Sequence, residues 1–299
     1  MRFYFSTDFT LALPQGHRFP AEKYNLLREA LISNEIVEES ALTFSPQAPE
    51  DVITAAHTEE YVHSLRDGTI DPKEMRRIGF PWSDLIHKRG QRTVGGALAA
   101  ARDALERGLA GQLAGGTHHA HADFGAGFCI YNDFAVVART LLNEGAVDRI
   151  AIIDLDVHQG DCNAALLVDH PGIFILDVFG EKNFPFRKVP STLDVPLPDH
   201  TGDAAFLAAI EEHLPQVWNF APDLVLYQAG VDPLITDRLG RLDITHEGLM
   251  ARDHLVLEGC HRRGIPVSMG IGGGYAEPIT DTVLAYANTY RVAKSVYRF

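Results

Sequence analysis

The chain has 299 residues, 46% of them hydrophobic and 22% charged. This is ordinary globular usage with enough apolar material for a sizeable core, and it excludes a disordered, collagen-like or coiled-coil protein. With 26 Lys+Arg against 40 Asp+Glu the formal net charge is −14; such a chain is poorly suited to gripping a phosphate backbone, and its acidity suits solubility and a cationic substrate.

The elements alternate. Arg2–Phe5 reads as a first strand, followed by a helix over Ala21–Ile32 and a second over Thr93–Arg107. A helix over Phe134–Asn143 precedes a strand at Arg149–Leu155, and another strand follows at Ile173–Val178. Asp203–His213 reads as a helix that Pro215 ends or kinks. A strand at Asp223–Gln228, a helix at His246–Arg263, a strand at Pro266–Ile271 and a helix at Ile279–Ser295 complete the order. The later strands are near-continuous runs of Ile, Val and Leu, as strands covered on both faces require. The expectation is an α/β fold: a single central, mostly parallel sheet with helices on both faces. No Pro/Gly/Ser-rich linker divides the chain, so residues 1–299 read as one domain. Asp8 interrupts the first apolar run before it reaches signal-peptide length, and no stretch approaches the length of a membrane span. Cys129, Cys162 and Cys260 are too scattered for a disulfide framework. A cytoplasmic protein is expected.

Ligands of open parallel sheets bind beyond the carboxyl ends of the strands, so the chemistry is sought there. Asp154, Asp156 and His158 follow the Arg149 strand at alternate positions. If the extended backbone continues that far, all three side chains leave by one face. Charges so close to a buried strand are costly unless paired or bound to a cation, and a carboxylate with an imidazole two residues on can ligate a divalent ion. The bland alternative is a polar strand end in which His158 caps the next helix; Asp161 nearby weighs against it. Gly115-Gly116-Thr117-His118-His119 is a turn carrying two imidazoles, either an exposed His-rich loop or a base and an acid each oriented by a carboxylate. Asp232 follows the Asp223 strand and by itself is ordinary Asp-Pro turn chemistry. Gly270–Tyr275 is a glycine run without a nucleotide-binding pattern, and Tyr275 is placed to donate to a developing oxyanion. Together the four segments hold what metal-assisted amide hydrolysis needs.

From about Phe3 to about Tyr286 the chain resembles the histone deacetylase superfamily, which has the arginase/deacetylase fold. The motifs G-G-x-H-H, G-F-C, D-x-D-V-H-x-G-D, A-G-x-D and G-G-Y occur in the family order. The resemblance implies zinc (or ferrous iron) on Asp156, His158 and Asp232, catalytic histidines His118 and His119 paired with Asp154 and Asp161, and Tyr275 polarising the carbonyl. It also implies a structural potassium ion near Asp154 and an acyl-lysine tunnel walled by Gly127, Phe128 and Phe184, with Leu239 deeper. Asp177-Val178-Phe179 with Asn183-Phe184-Pro185, and the Phe80-Pro81-Trp82 stretch, are more like class IV enzymes than class I. The rim aspartate that grips the substrate backbone in class I has no counterpart, so acetyl and longer acyl chains are both expected substrates. The implied activity is hydrolysis of acylated lysine in a protein or peptide. An amidohydrolase for acetylated polyamines or other small amides is the alternative on the same fold. A ureohydrolase fits the His118-His119 pair poorly, and a non-catalytic acyl-lysine binder would predict damage at a ligand or at Tyr275.

Overall fold

The computed structural model describes residues 1–6 and 11–299, so Asp8 lies outside the described residues. Eight strands form one fully parallel sheet in the order β2-β1-β3-β8-β7-β4-β5-β6. They are β1 (Arg2–Phe5), β2 (Leu42–Phe44), β3 (Leu109–Gln112), β4 (Ile150–Asp154), β5 (Ile173–Gly180), β6 (Leu193–Leu197), β7 (Leu224–Gln228) and β8 (Val267–Gly270). The pleat alternates along each strand. Ala151 and Ile153 of β4 join one core with Leu176, Val225 and Met269, whereas Ile150 and Ile152 join the other with Ile175, Leu224 and Leu226. The first core is closed by α1 (Lys23–Ser33), α8 (Asp203–Phe220), α9 (His246–Arg263) and α10 (Ile279–Tyr297). The second is closed mainly by α3 (Glu59–Asp67), α4 (Pro72–Ile78), α5 (Leu85–Arg107) and α6 (Asp133–Asn143), with the short α2 (Glu50–Ile53) and α7 (Asp161–Leu167) beside them. No described helix is long and apolar enough to cross a membrane.

The α/β architecture expected from the alternation is the one found, with three departures. The strand expected to continue through Leu155 ends at Asp154, and a loop carries Asp156 and His158. The helix from Asp203 does not stop before Pro215 but runs through it to Phe220. Pro215 is on the exposed side, while Leu214 and Val217 keep the helix seated on the core. The helix expected from Thr93 begins at Leu85, because Ile86, Gly90 and Val94 continue its buried stripe.

Behind the sheet ends, Arg252 of α9 is wholly buried beside Asp253. Its guanidinium donates to Asp253 at 2.8 Å and to the carbonyl of Gly230, and reaches the carbonyl of Leu155 at 3.4 Å. Asp253 also accepts from Tyr227 Oη at 2.5 Å and Thr289 Oγ1 at 2.7 Å. Arg252 thus ties together the loops that follow β4 and β7. Removing one partner of a buried ion pair leaves the other uncompensated, so Arg252→Met should cost about 3–5 kcal/mol in urea unfolding. An unchanged midpoint would show that the loops are held without it.

Candidate active site

Each candidate residue sits just past a strand end on one edge of the sheet. The β4 end supplies Asp154, Asp156 and His158; the start of α7 supplies Asp161; the segment after β7 supplies Asp232; the turn after β8 supplies Tyr275. The two histidines stand in the loop after β3. Asp133, at the start of α6, fixes that loop by accepting from the Gly116 and Thr117 amides at 3.0 and 2.9 Å.

Asp156, His158 and Asp232 form a cluster whose ligand atoms lie within 4.8 Å of one another. His158 Nδ1 is 3.1 Å from Asp156 Oδ1 and 2.9 Å from Asp232 Oδ2. The outer oxygens are held by backbone: Asp156 Oδ2 accepts from the Gly273 amide at 2.6 Å, and Asp232 Oδ1 from the Val157 amide at 2.9 Å. Two carboxylates and an imidazole, oriented by main chain and turned on one point, fit a divalent cation. The glycine turn is part of that fit, since a Cβ on Gly273 would come within 1.8 Å of Asp232 Oδ2. A second group of potential ligands, His121, Asp161 and Cys162, also converges. There Asp161 is already engaged with His119, and burial pushes the Cys162 thiol far above its ordinary range.

Above the triad, His118 Nδ1 lies 2.8 Å from Asp154 Oδ2, and His119 Nδ1 lies 2.6 Å from Asp161 Oδ1. The two rings are 4.2 Å apart, yet their pKa values are pushed in opposite directions. Burial opposes charge on His118, but Asp154, Asp156 and Asp177 overcome it and raise its pKa to about 10. Burial and the neighbouring His118 charge lower that of His119 to about 4, against the pull of Asp161. The fold thus favours a proton on His118 and disfavours one on His119.

Tyr275 is buried, which keeps its phenol protonated. Its amide donates to Asp237 Oδ2 at 2.6 Å, and the other oxygen of Asp237 accepts from the Leu239 and Gly240 amides at 2.8 and 3.0 Å. A cavity of about 570 Å³ reaches the triad and is lined in part by Gly127, Phe128, Phe184, Leu239 and Tyr275. Gly127 has φ +54°, and a Cβ there would press on the His119 ring at 2.7 Å, so glycine brings the cavity wall against the histidine. Phe184 meets His119 edge-on at 4.9 Å, and Phe128 lies 6.0 Å from Tyr275. All twelve residues singled out from the sequence therefore stand at or just beneath this one cavity.

The chain matches the histone deacetylase domain family over residues 17–290. It belongs to the histone deacetylase family. It is 42% identical to an uncharacterized protein of Picosynechococcus sp., covering 97% of both chains. It is 31% identical to histone deacetylase 2 of Arabidopsis thaliana, covering 91% of this chain and 74% of that one. Among solved structures, an HDAC homolog complexed with SAHA superposes with a TM-score of 0.83 and 26% identity, over 99% of this chain and 88% of that one. An acetylpolyamine aminohydrolase from Burkholderia pseudomallei shares the fold at TM-score 0.81 and 19% identity, over 99% of both chains. The sheet is that of the arginase/deacetylase fold.

Sequence reasoning passed over Lys23, Asp133, Asp237 and Arg252. Lys23 is only 2% exposed. Its ammonium is 3.3 and 3.5 Å from the Gly272 and Gly274 carbonyls and 5.1 Å from the Tyr275 ring centre. Its hydrogen-bond partners are some 250 residues away, so the rings of its neighbours Phe19 and Tyr24, which its ammonium also meets, gave no signal by themselves.

The charged His118 has a consequence for stability. Its pKa is 6.5 ordinarily and about 10 in the fold. The stabilisation is therefore complete below pH 6.5 and is lost as pH rises through about 10. His158, raised likewise to about 10 between its two carboxylates, adds to the same slope. In chelator-treated protein the unfolding free energy should decline across that interval, and His118→Asn should flatten the decline. An equally steep slope in the variant would refute a charged His118.

Proposed function

We propose that this histone deacetylase family member hydrolyses the amide of acylated lysine, acetyl or longer acyl, to a carboxylate and a free amine. The observation that supports it most is the pair of adjacent histidine–carboxylate couples whose proton affinities are driven apart, His118 up and His119 down, set above a cluster fit for a divalent cation. Asp156, His158 and Asp232 would hold zinc or ferrous iron. Bound there, the ion would supply Lewis-acid activation of water and of the substrate carbonyl.

The remaining chemistry belongs to the side chains. His119 keeps Nδ1 on Asp161, which leaves Nε2 to take a proton from the attacking water, and its low pKa keeps it unprotonated and ready. The water oxygen bonds to the carbonyl carbon, and the Tyr275 hydroxyl donates to the oxyanion that forms. The C–N bond then breaks, and His119 returns its proton to the leaving nitrogen. His118, held charged on Asp154, stabilises negative charge and donates no proton in this scheme. Gly127, Phe128 and Phe184 wall the acyl-lysine side chain, with Leu239 lower. A potassium ion near Asp154 is part of the same reading, supported by Asp177, which is wholly buried with Oδ1 unpartnered. The stretch from Asp177 to Pro185 supports class IV within the family. Three free, buried thiols support a cytoplasmic setting.

Two measurements test the scheme. Tyr275→Phe should lose about a hundredfold or more in kcat with KM little changed, the usual cost of one oxyanion donor; a wild-type rate would leave Tyr275 a packing residue. Chelation should abolish turnover, and added Zn²⁺ or Fe²⁺ should restore it in the wild type but not in Asp232→Ala. Full activity in protein shown by elemental analysis to be metal-free would refute the metal assignment.

A further inference from the structure

The whole chain is strongly acidic, yet the mouth of the catalytic cavity is not. Among the described residues Arg18, Lys23, Arg77, Lys182, Arg238 and Arg241 line the cavity, and Asp156 of the metal cluster is the one carboxylate that does. Lys23 lies deep; the other five cations stand at the opening. The carboxylates that pair with them are outside the lining. Arg77 meets Glu74 at 3.0 Å, Arg238 meets Glu277 at 3.2 Å, and Arg241 and Lys182 share Asp199 at 2.7 and 3.6 Å. Arg18 is exposed and has no ion-pair or hydrogen-bond partner among the described residues. Among the described residues five cations are thus set against the three carboxylates that pair with them, with the cations nearer the opening. Beside them Phe186, 88% exposed, offers an apolar ledge against Phe184 at 6.2 Å.

The cations come from separate parts of the chain. Arg18 precedes α1, Arg77 is in α4, Lys182 follows β5, and Arg238 and Arg241 follow β7. Because they come from separate segments of the lining, a ligand that used them together would reach beyond the tunnel itself. Acylation of one amine leaves a polyamine its other protonated amines, which this rim repels. Resting on the hydrolase reading above, we infer that the substrate is acyl-lysine within an acidic stretch of polypeptide, and that acylated polyamines are excluded at the rim. Like-charge contacts suppress wrong partners, and opposite charge raises the rate of encounter.

The test compares kcat/KM of the metal-loaded enzyme on one acetyl-lysine peptide flanked by Asp/Glu, by Ser/Gly or by Lys/Arg, and on acetylspermidine. Three exposed charge contacts of ordinary strength together give roughly tenfold, so the acidic peptide should exceed the basic one by about that factor. The gap should close near 1 M salt, where the screening length is about 3 Å. Arg18→Glu should lower the acidic-to-basic ratio. Equal or better cleavage of the basic peptide or of acetylspermidine overturns the inference and leaves the hydrolase reading standing. If no substrate is cleaved, the hydrolase reading fails, and anisotropy with the same labelled peptides still decides the charge preference. Tighter binding of the acidic peptide supports it; equal binding overturns it.

Discussion

Four carboxylates, Asp154, Asp156, Asp177 and Asp232, are buried to 1% exposure or less at one edge of the sheet. Charge so far from water is tolerated only where it is bonded and compensated. Much of the local structure is that compensation. The backbone amides of Asp156, Val157, Gly160 and Gly273 each donate to one of the four. His118 and His158 supply positive charge, and the Asp156–Asp232 pair leaves room for more. The glycine turn before Tyr275 is needed because two of these carboxylates press on it, and Arg252 anchors from behind the loops that carry them.

The same crowding explains how two adjacent histidines come to differ. His118 is held by Asp154 and sees Asp156 and Asp177 beyond it. His119 has Asp161, but it also faces His118 and His158. Once His118 is charged, a second proton on His119 would be repelled by two imidazoles in a site with little water. The low proton affinity of His119 thus comes from burial together with its neighbour.

The strands with long apolar runs, β4, β5, β7 and β8, were legible in the sequence, and so were the polar residues just after them. Those residues are improbable in a core for any other reason, which is why the candidate site could be named before its geometry was known. Strands β2, β3 and β6 were not legible. Leu109–Gln112 holds a glycine and a glutamine and becomes a strand because β1 and β8 flank it on both sides. Leu193–Leu197 contains Pro196, which an edge strand tolerates. Lys23 and Arg252 were missed for another reason. Their meaning lies in partners such as the Leu155 carbonyl, 97 residues from Arg252, and no local pattern encodes such a pairing.

Net charge averages two regions that rest on different supports. The floor of the site is acidic and stands on strand ends, where register and backbone amides fix each oxygen. The rim is basic and stands on exposed side chains of separate segments, whose partners are surface carboxylates such as Glu74, Asp199 and Glu277. A change at Asp156 disturbs several buried bonds at once, whereas a change at Arg18 disturbs none that the fold relies on. The buried floor and the exposed rim are therefore physically separable here. A sheet edge that must bury its charges is difficult to alter, while the surface segments around it can change sign without cost to the core.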